Sequence, residues 1–142
     1  MKHFLLATLL IVSLCSLRLP RQLIGIWTPS EIVALEPLMS EANEYQKLII
    51  RDFLAKNNQE AKYRLELHED GLFLSNLYPG LDSGRWQYLK KDKTLLLHDY
   101  LEDSMAFRVD QLSKDEIQLT ALGLGEVEGK QVTLVNKLSR VP

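Results

Sequence analysis

Cysteine occurs once in the 142-residue chain, histidine three times and tryptophan twice. The cysteine is Cys15, inside the N-terminal apolar segment, so no thiol beyond it can form a disulfide, attack a substrate or bind a metal. His68 and His98 are the only histidines after that segment. There is no His-x-x-x-His, no cysteine pair and no aspartate-rich loop, so no zinc or calcium site is expected. Basic charge is not in excess either, with 17 lysines and arginines against 19 acidic residues. Nucleic acid or an anionic membrane surface as main partner calls for a basic footprint, and neither is expected here. No serine sits in a nucleophile elbow. Gly123-Leu124-Gly125 precedes no helix start, so it is no phosphate loop. The expectation is a protein that is not an enzyme and carries no cofactor.

What is present is an ordinary globular composition, 46% hydrophobic and 25% charged, in a length suited to one domain with a real core. Residues 1–17 read as a signal peptide or N-terminal membrane anchor. Lys2 and His3 precede an apolar run broken only by Thr8, and the run is about 14 residues where a spanning helix needs about 20. A buried N-terminal helix is the competing reading. Cys15 follows Leu14, where a lipoprotein signal wants a small residue, so lipidation and simple secretion both stay open. Residues 18–22, with Pro20, are a linker, and 23–142 are the folded domain. The expected location is secreted or periplasmic, with membrane contact only through the N-terminal segment.

The domain opens on a short apolar strand, Leu23-Ile24-Gly25-Ile26-Trp27. Thr28-Pro29-Ser30-Glu31 then predicts a helix start, with Thr28 as cap, Pro29 at the first helical position and Glu31 closing a capping box. That helix must end before Pro37, which pushes Glu36 out of helical geometry. A second helix is predicted from Leu38 or Ser40 to Lys56. Leu38, Ala42, Tyr45, Leu48, Ile49 and Phe53 form its apolar stripe, which calls for burial. From Ala61 the period becomes two. Strands are predicted over 61–68, 72–77, 84–89, 94–98, 105–112, 116–122 and 130–140. Asp70-Gly71 makes the first hairpin, and 123–129 is a glycine-spaced loop. With the opening strand this makes about eight short strands joined by tight turns. That is the pattern of an all-β, up-and-down antiparallel barrel with a helical insertion between strands 1 and 2. The first and last strands should pair.

The chain here resembles the lipocalin-like group of the calycin superfamily. Gly25 and Trp27 match the Gly-x-Trp of lipocalins, and the eight-strand meander follows. The resemblance implies a basic side chain packed across that Trp from the last strand, and Arg140 matches the place, with Lys137 as the other candidate. His98-Asp99-Tyr100 looks similar to a late lipocalin element, but comes one hairpin too early. The long helical segment is more like the two-helix lid of the fatty-acid-binding proteins, but those have ten strands against eight here, and the combination looks most like small secreted bacterial lipocalin-like domains.

An eight-stranded barrel is just wide enough to be filled by side chains or to hold one small ligand. Tyr63, Leu65, Leu67, Phe73, Trp86, Tyr88, Phe107 and Val109 are the candidate ligand-binding residues of the interior. They stand with Trp27, Leu95, Leu97, Ile117, Leu119, Val132 and Leu134 on inward positions. The functional expectation is a small hydrophobic ligand, oriented by the hydroxyls of Tyr63 and Tyr88. The alternative is a filled barrel with no ligand, serving as a protein-interaction module. A third possibility, implied by the resemblance alone, is isomerisation of a lipid-like substrate in the barrel.

Overall fold

The computed structural model describes residues 20–60, 62–78, 80–101 and 103–142. The expected signal or anchor segment, with Cys15, lies outside them, as do the side chains of Leu38 and Phe53. Eight strands close an antiparallel barrel: β1 (Gly25–Glu36), β2 (Leu65–Leu67), β3 (Leu72–Ser75), β4 (Ser83–Leu89), β5 (Thr94–Asp99), β6 (Ser104–Leu112), β7 (Glu116–Leu122) and, closing onto β1, β10 (Thr133–Arg140). Each strand bonds to the barrel strands before and after it in the chain, and first pairs with last. The eight-stranded barrel is consistent with a calycin-like fold. Between β7 and β10 a separate hairpin forms from β8 (Glu126–Val127) and β9 (Lys130–Gln131). The predicted last strand, 130–140, is therefore split at Val132, and β8 forms within the expected loop. Glu128 and Gly129, both at positive φ, make the turn.

Alternation puts the large apolar side chains inside. Leu65 and Leu67, Leu95 and Leu97, Phe107 and Val109, and Ile117 and Leu119 are all buried, and their strand neighbours are not. Trp27, Trp86, Phe73 and Phe107 are the bulkiest of the fully buried side chains. One end of the barrel, the floor, carries the hairpin at 68–71, the turns at 90–93 and 113–115 and the chain around Leu23. The other, the mouth, carries the helical insertion and the loops 76–82, 100–103 and 123–132.

The helix expected from Thr28 does not form. β1 runs straight through it to Glu36, and Pro29 faces Leu138 across the ladder. Sheet pairing overrides the local start signal. The Arg140 N–H is given to the Asp115 carbonyl, away from β1. The alternation then points the proline nitrogen away from β10 as well, so its missing N–H removes no bond between them. The would-be capping groups are used in the sheet. Thr28 Oγ1 donates to the Tyr63 carbonyl at 3.1 Å, and Glu31 lies 3.4 Å from Lys137.

The second predicted helix is two: α1 (Leu38–Glu41) and α2 (Glu44–Glu60). Ala42 between them is extended, at φ −73 and ψ 136. The box that starts α2 is Asn43 with Gln46. The Gln46 amide donates to Asn43 Oδ1 at 2.9 Å and the Asn43 amide to Gln46 Oε1 at 3.0 Å. Three residues of the expected apolar stripe are not buried: Tyr45 is 70% exposed, Ile49 50% and Leu48 42%. Tyr63, expected inside strand 2, precedes it at a bend.

Candidate functional site

The floor is built around Trp27, which is completely buried and gives its indole N–H to the Leu23 carbonyl at 2.9 Å. Trp27 faces Arg140 in the register of β1 and β10. The guanidinium carbon of Arg140 stands 4.3 Å from the indole centroid, a cation–π geometry. The same guanidinium donates to three backbone carbonyls: Lys114 and Ile24 at 2.6 Å and Gln22 at 2.7 Å. One side chain thus ties the incoming chain, the β6–β7 turn and the last strand across the Trp. Gly25 makes this possible. Its φ is +146°, and a Cβ there would collide with the Arg140 guanidinium. Lys137 is directed to Glu31 instead.

The wall is uneven above the floor. β1 pairs with β2 only at Gly25, Ile26 and Trp27, but with β10 from Trp27 to Glu36. Over 29–36 no strand is paired to the edge of β1 that faces β2 among the described residues. The hydroxyl of Thr28 on the Tyr63 carbonyl carries the seam slightly further. The helical insertion connects the two sides of this seam, and both α1 and α2 pack against β1. Glu41 at the end of α1 accepts a bond from Lys130 of the β8–β9 hairpin at 2.7 Å. An open cleft of about 470 Å³ lies on the insertion, lined by Glu41, Ala42, Gln46, Ile49 and Ile50. A second, of about 230 Å³, lies against Arg64, Glu66, Leu74, Ser75, Asn76 and Asp82.

Two polar groups reach the interior from the mouth. Tyr78, in the loop after β3, is 5% exposed and packs its ring on Phe107 at 4.8 Å between centroids. Asn136, on β10, is 5% exposed and alternates with the less buried Val135 and Lys137. Asn136 Nδ2 donates to the Tyr78 hydroxyl at 3.3 Å, while Asn136 Oδ1 is buried with no hydrogen-bond partner among the described residues. Burial pushes the Tyr78 phenol up to about 12, against a smaller opposite pull from Asn136. The phenol is therefore a neutral O–H donor throughout the physiological range.

Asp99, at the mouth end of β5, is a buried acid that serves the backbone. Its carboxylate accepts from the Leu101 amide at 2.8 Å, the Asp82 amide at 2.8 Å and the Ser83 amide at 3.1 Å. The Leu101 bond does most to hold its pKa below the usual carboxylate range; burial opposes it, and the Asp82 and Ser83 bonds add to it. Gly84 beside it admits the His98 carbonyl so closely that a Cβ would collide.

Of the residues expected to line a ligand, Leu65, Leu67, Phe73, Trp86, Phe107 and Val109 share one buried cluster. Tyr63 and Tyr88 are half-buried. They are not brought together: Tyr63 precedes β2 at the mouth, and Tyr88 lies at the floor end of β4. The interior polar pair is Tyr78 with Asn136, which sequence reasoning missed. Its signal was the asparagine interrupting the apolar alternation Leu134, Leu138 of the last strand. Comparison of the chain with protein-family models, with curated proteins and with solved structures gave no match.

Proposed function

We propose that the protein is a binding module that takes a small hydrophobic molecule into the mouth half of its barrel. The observation that carries this reading is the seam between β1 and β2. Among the described residues the β1–β2 ladder ends at Trp27, and the helical insertion, which packs on β1, links the two strands above it. An insertion that links the two sides of such a seam offers a route for a ligand that a continuous wall would refuse. Half-buried apolar side chains next to the core, Leu77, Met105, Leu124 and Leu134, lie at that end to receive it. We assign the module no reaction and no cofactor, and place it outside the cytoplasm through the segment 1–17.

Titration with the neutral apolar dye N-phenyl-1-naphthylamine tests the reading. Saturable binding at one site per chain is expected. It should weaken at least tenfold when Leu134→Trp fills the mouth of a variant that still melts cooperatively. Absence of saturable binding overturns it. A second reading, a filled barrel acting as a protein-interaction module, is favoured by the exposed Tyr45, Leu48 and Ile49 on α2.

A further inference from the structure

A buried carbonyl oxygen without a partner is costly, because desolvation is not repaid. Asn136 Oδ1 is such an atom, and it stands in the barrel between Ile32 of β1 and Leu119 of β7. Next to it the Tyr78 hydroxyl accepts from Asn136 Nδ2, which leaves the phenolic hydrogen to donate elsewhere. The pair therefore presents one acceptor and one donor side by side inside apolar walls. We infer that Asn136 and Tyr78 anchor the hydroxyl group of a neutral, otherwise apolar ligand. The ligand's O–H donates to Asn136 Oδ1, and its oxygen accepts from the Tyr78 hydroxyl. Turning the asparagine amide over changes which of its atoms is spare, and a hydroxyl satisfies either arrangement.

The same geometry selects against a carboxylate. A carboxylate offers only acceptors and would set its charge against Asn136 Oδ1. No lysine or arginine is among the buried residues described, so a buried anion would have no counter-charge there. An ether fails differently, since it can take the Tyr78 hydrogen but gives nothing to Asn136. The inference rests on the binding-module reading above and adds the chemical class of the ligand.

The experiment uses the full chain and three probes of matched length: 1-octanol, its isomer heptyl methyl ether, and octanoate at pH 7. Isothermal titration calorimetry should rank 1-octanol ahead of the ether by about tenfold, the worth of one good hydrogen bond in a dry site, and octanoate last. Asn136→Leu should erase the preference for the alcohol while the ether binds as before. Tyr78→Phe, which keeps the ring on Phe107 and so guards against a variant that merely misfolds, should weaken 1-octanol by a similar factor. Equal binding of 1-octanol and the ether to the unaltered protein, or an Asn136→Leu variant that keeps the preference, overturns the anchor and leaves the binding module standing. If none of the three probes binds and the naphthylamine dye does not bind either, the binding reading itself falls and the anchor with it.

Discussion

At the floor of the barrel Trp27 is wholly buried and Arg140 spans three backbone carbonyls above it; at the mouth Tyr45 and Ile49 of α2 stand 70% and 50% exposed. The two ends are closed by different physics. The floor is made where the first and last strands meet, by residues held by register and by charge-assisted bonds. The mouth is made by a long insertion that touches the barrel chiefly along β1, with a polar pair left partly unsatisfied beneath it. A region with few buried apolar contacts opens at lower free energy than the core it covers. The contrast places rigidity at the floor and, on the proposed binding reading, assigns ligand traffic to the mouth.

The largest effects should follow from breaking the floor. Trp27→Ala removes a fully buried indole and should cost about 3–5 kcal/mol, read from the midpoint of guanidinium denaturation. Arg140→Ala should cost less, about 1.5–3 kcal/mol, because it removes hydrogen bonds from a charged donor to three carbonyls in addition to the ring contact. Those carbonyls make Arg140 more than a cation over a ring. A Trp27→Ala variant no less stable than a surface substitution, within about 0.5 kcal/mol, would end the comparison, since the floor would not be a seal.

Acid should separate the ends by a smaller amount. Asp99 has a depressed pKa in the folded state, so its contribution is full above the unfolded carboxylate value and is lost as pH falls through the folded value. The Asp99 contribution should therefore be constant from neutrality down to about pH 5 and decline below about pH 4. Asp99→Asn should be less stable at neutral pH and lose less on acidification. Amide hydrogen exchange as the pH is lowered should show the loops holding Asp82, Ser83 and Leu101 loosening before the Trp27 indole is exposed. An unchanged acid profile in Asp99→Asn would show that these loops are held by something else.

The barrel was legible in the sequence because a period of two survives in every strand that has one buried face: Leu65 and Leu67, Phe107 and Val109, Ile117 and Leu119 all declare themselves. The Trp27–Arg140 pairing could be expected only through the family resemblance and the closing of first strand on last. The false helix at Thr28 shows where local signals fail. Thr-Pro-Ser-Glu carries every mark of a helix start, but β10 offered a ladder that Pro29 could join without loss. The true box, Asn43 to Gln46, was hidden inside one apparent stripe, because a single extended residue, Ala42, leaves helical spacing nearly intact. Asp99 and Asn136 are buried polar residues that the sequence reading placed on no inward position. Much of what a buried polar group pairs with lies distant in the chain, Asp82 and Ser83 in one case and Tyr78 in the other. Spacing within a strand carries no trace of that.

The smallest effects belong to the insertion, and there the comparison can be sharpened. Removing the cap of α2 with Asn43→Ala should lower helix stability by about 1 kcal/mol, seen as reduced ellipticity at 222 nm. The guanidinium midpoint of the barrel, followed by Trp fluorescence, should scarcely move, because both tryptophans sit in the closed core and α2 carries neither. Tyr45→Ser with Ile49→Ser should do less still. Both side chains already meet water, so each change should fall within about 0.5 kcal/mol, despite the large apolar surface removed. That is the opposite of what the helical spacing of the sequence implied, since an apolar stripe that packed inward would lose several times as much. A double variant that melts as the parent does, while holding the naphthylamine dye less tightly, would assign the stripe to the ligand's path. A double variant that loses as much stability as Arg140→Ala would mean that this face is covered in solution, and that the mouth is sealed as firmly as the floor.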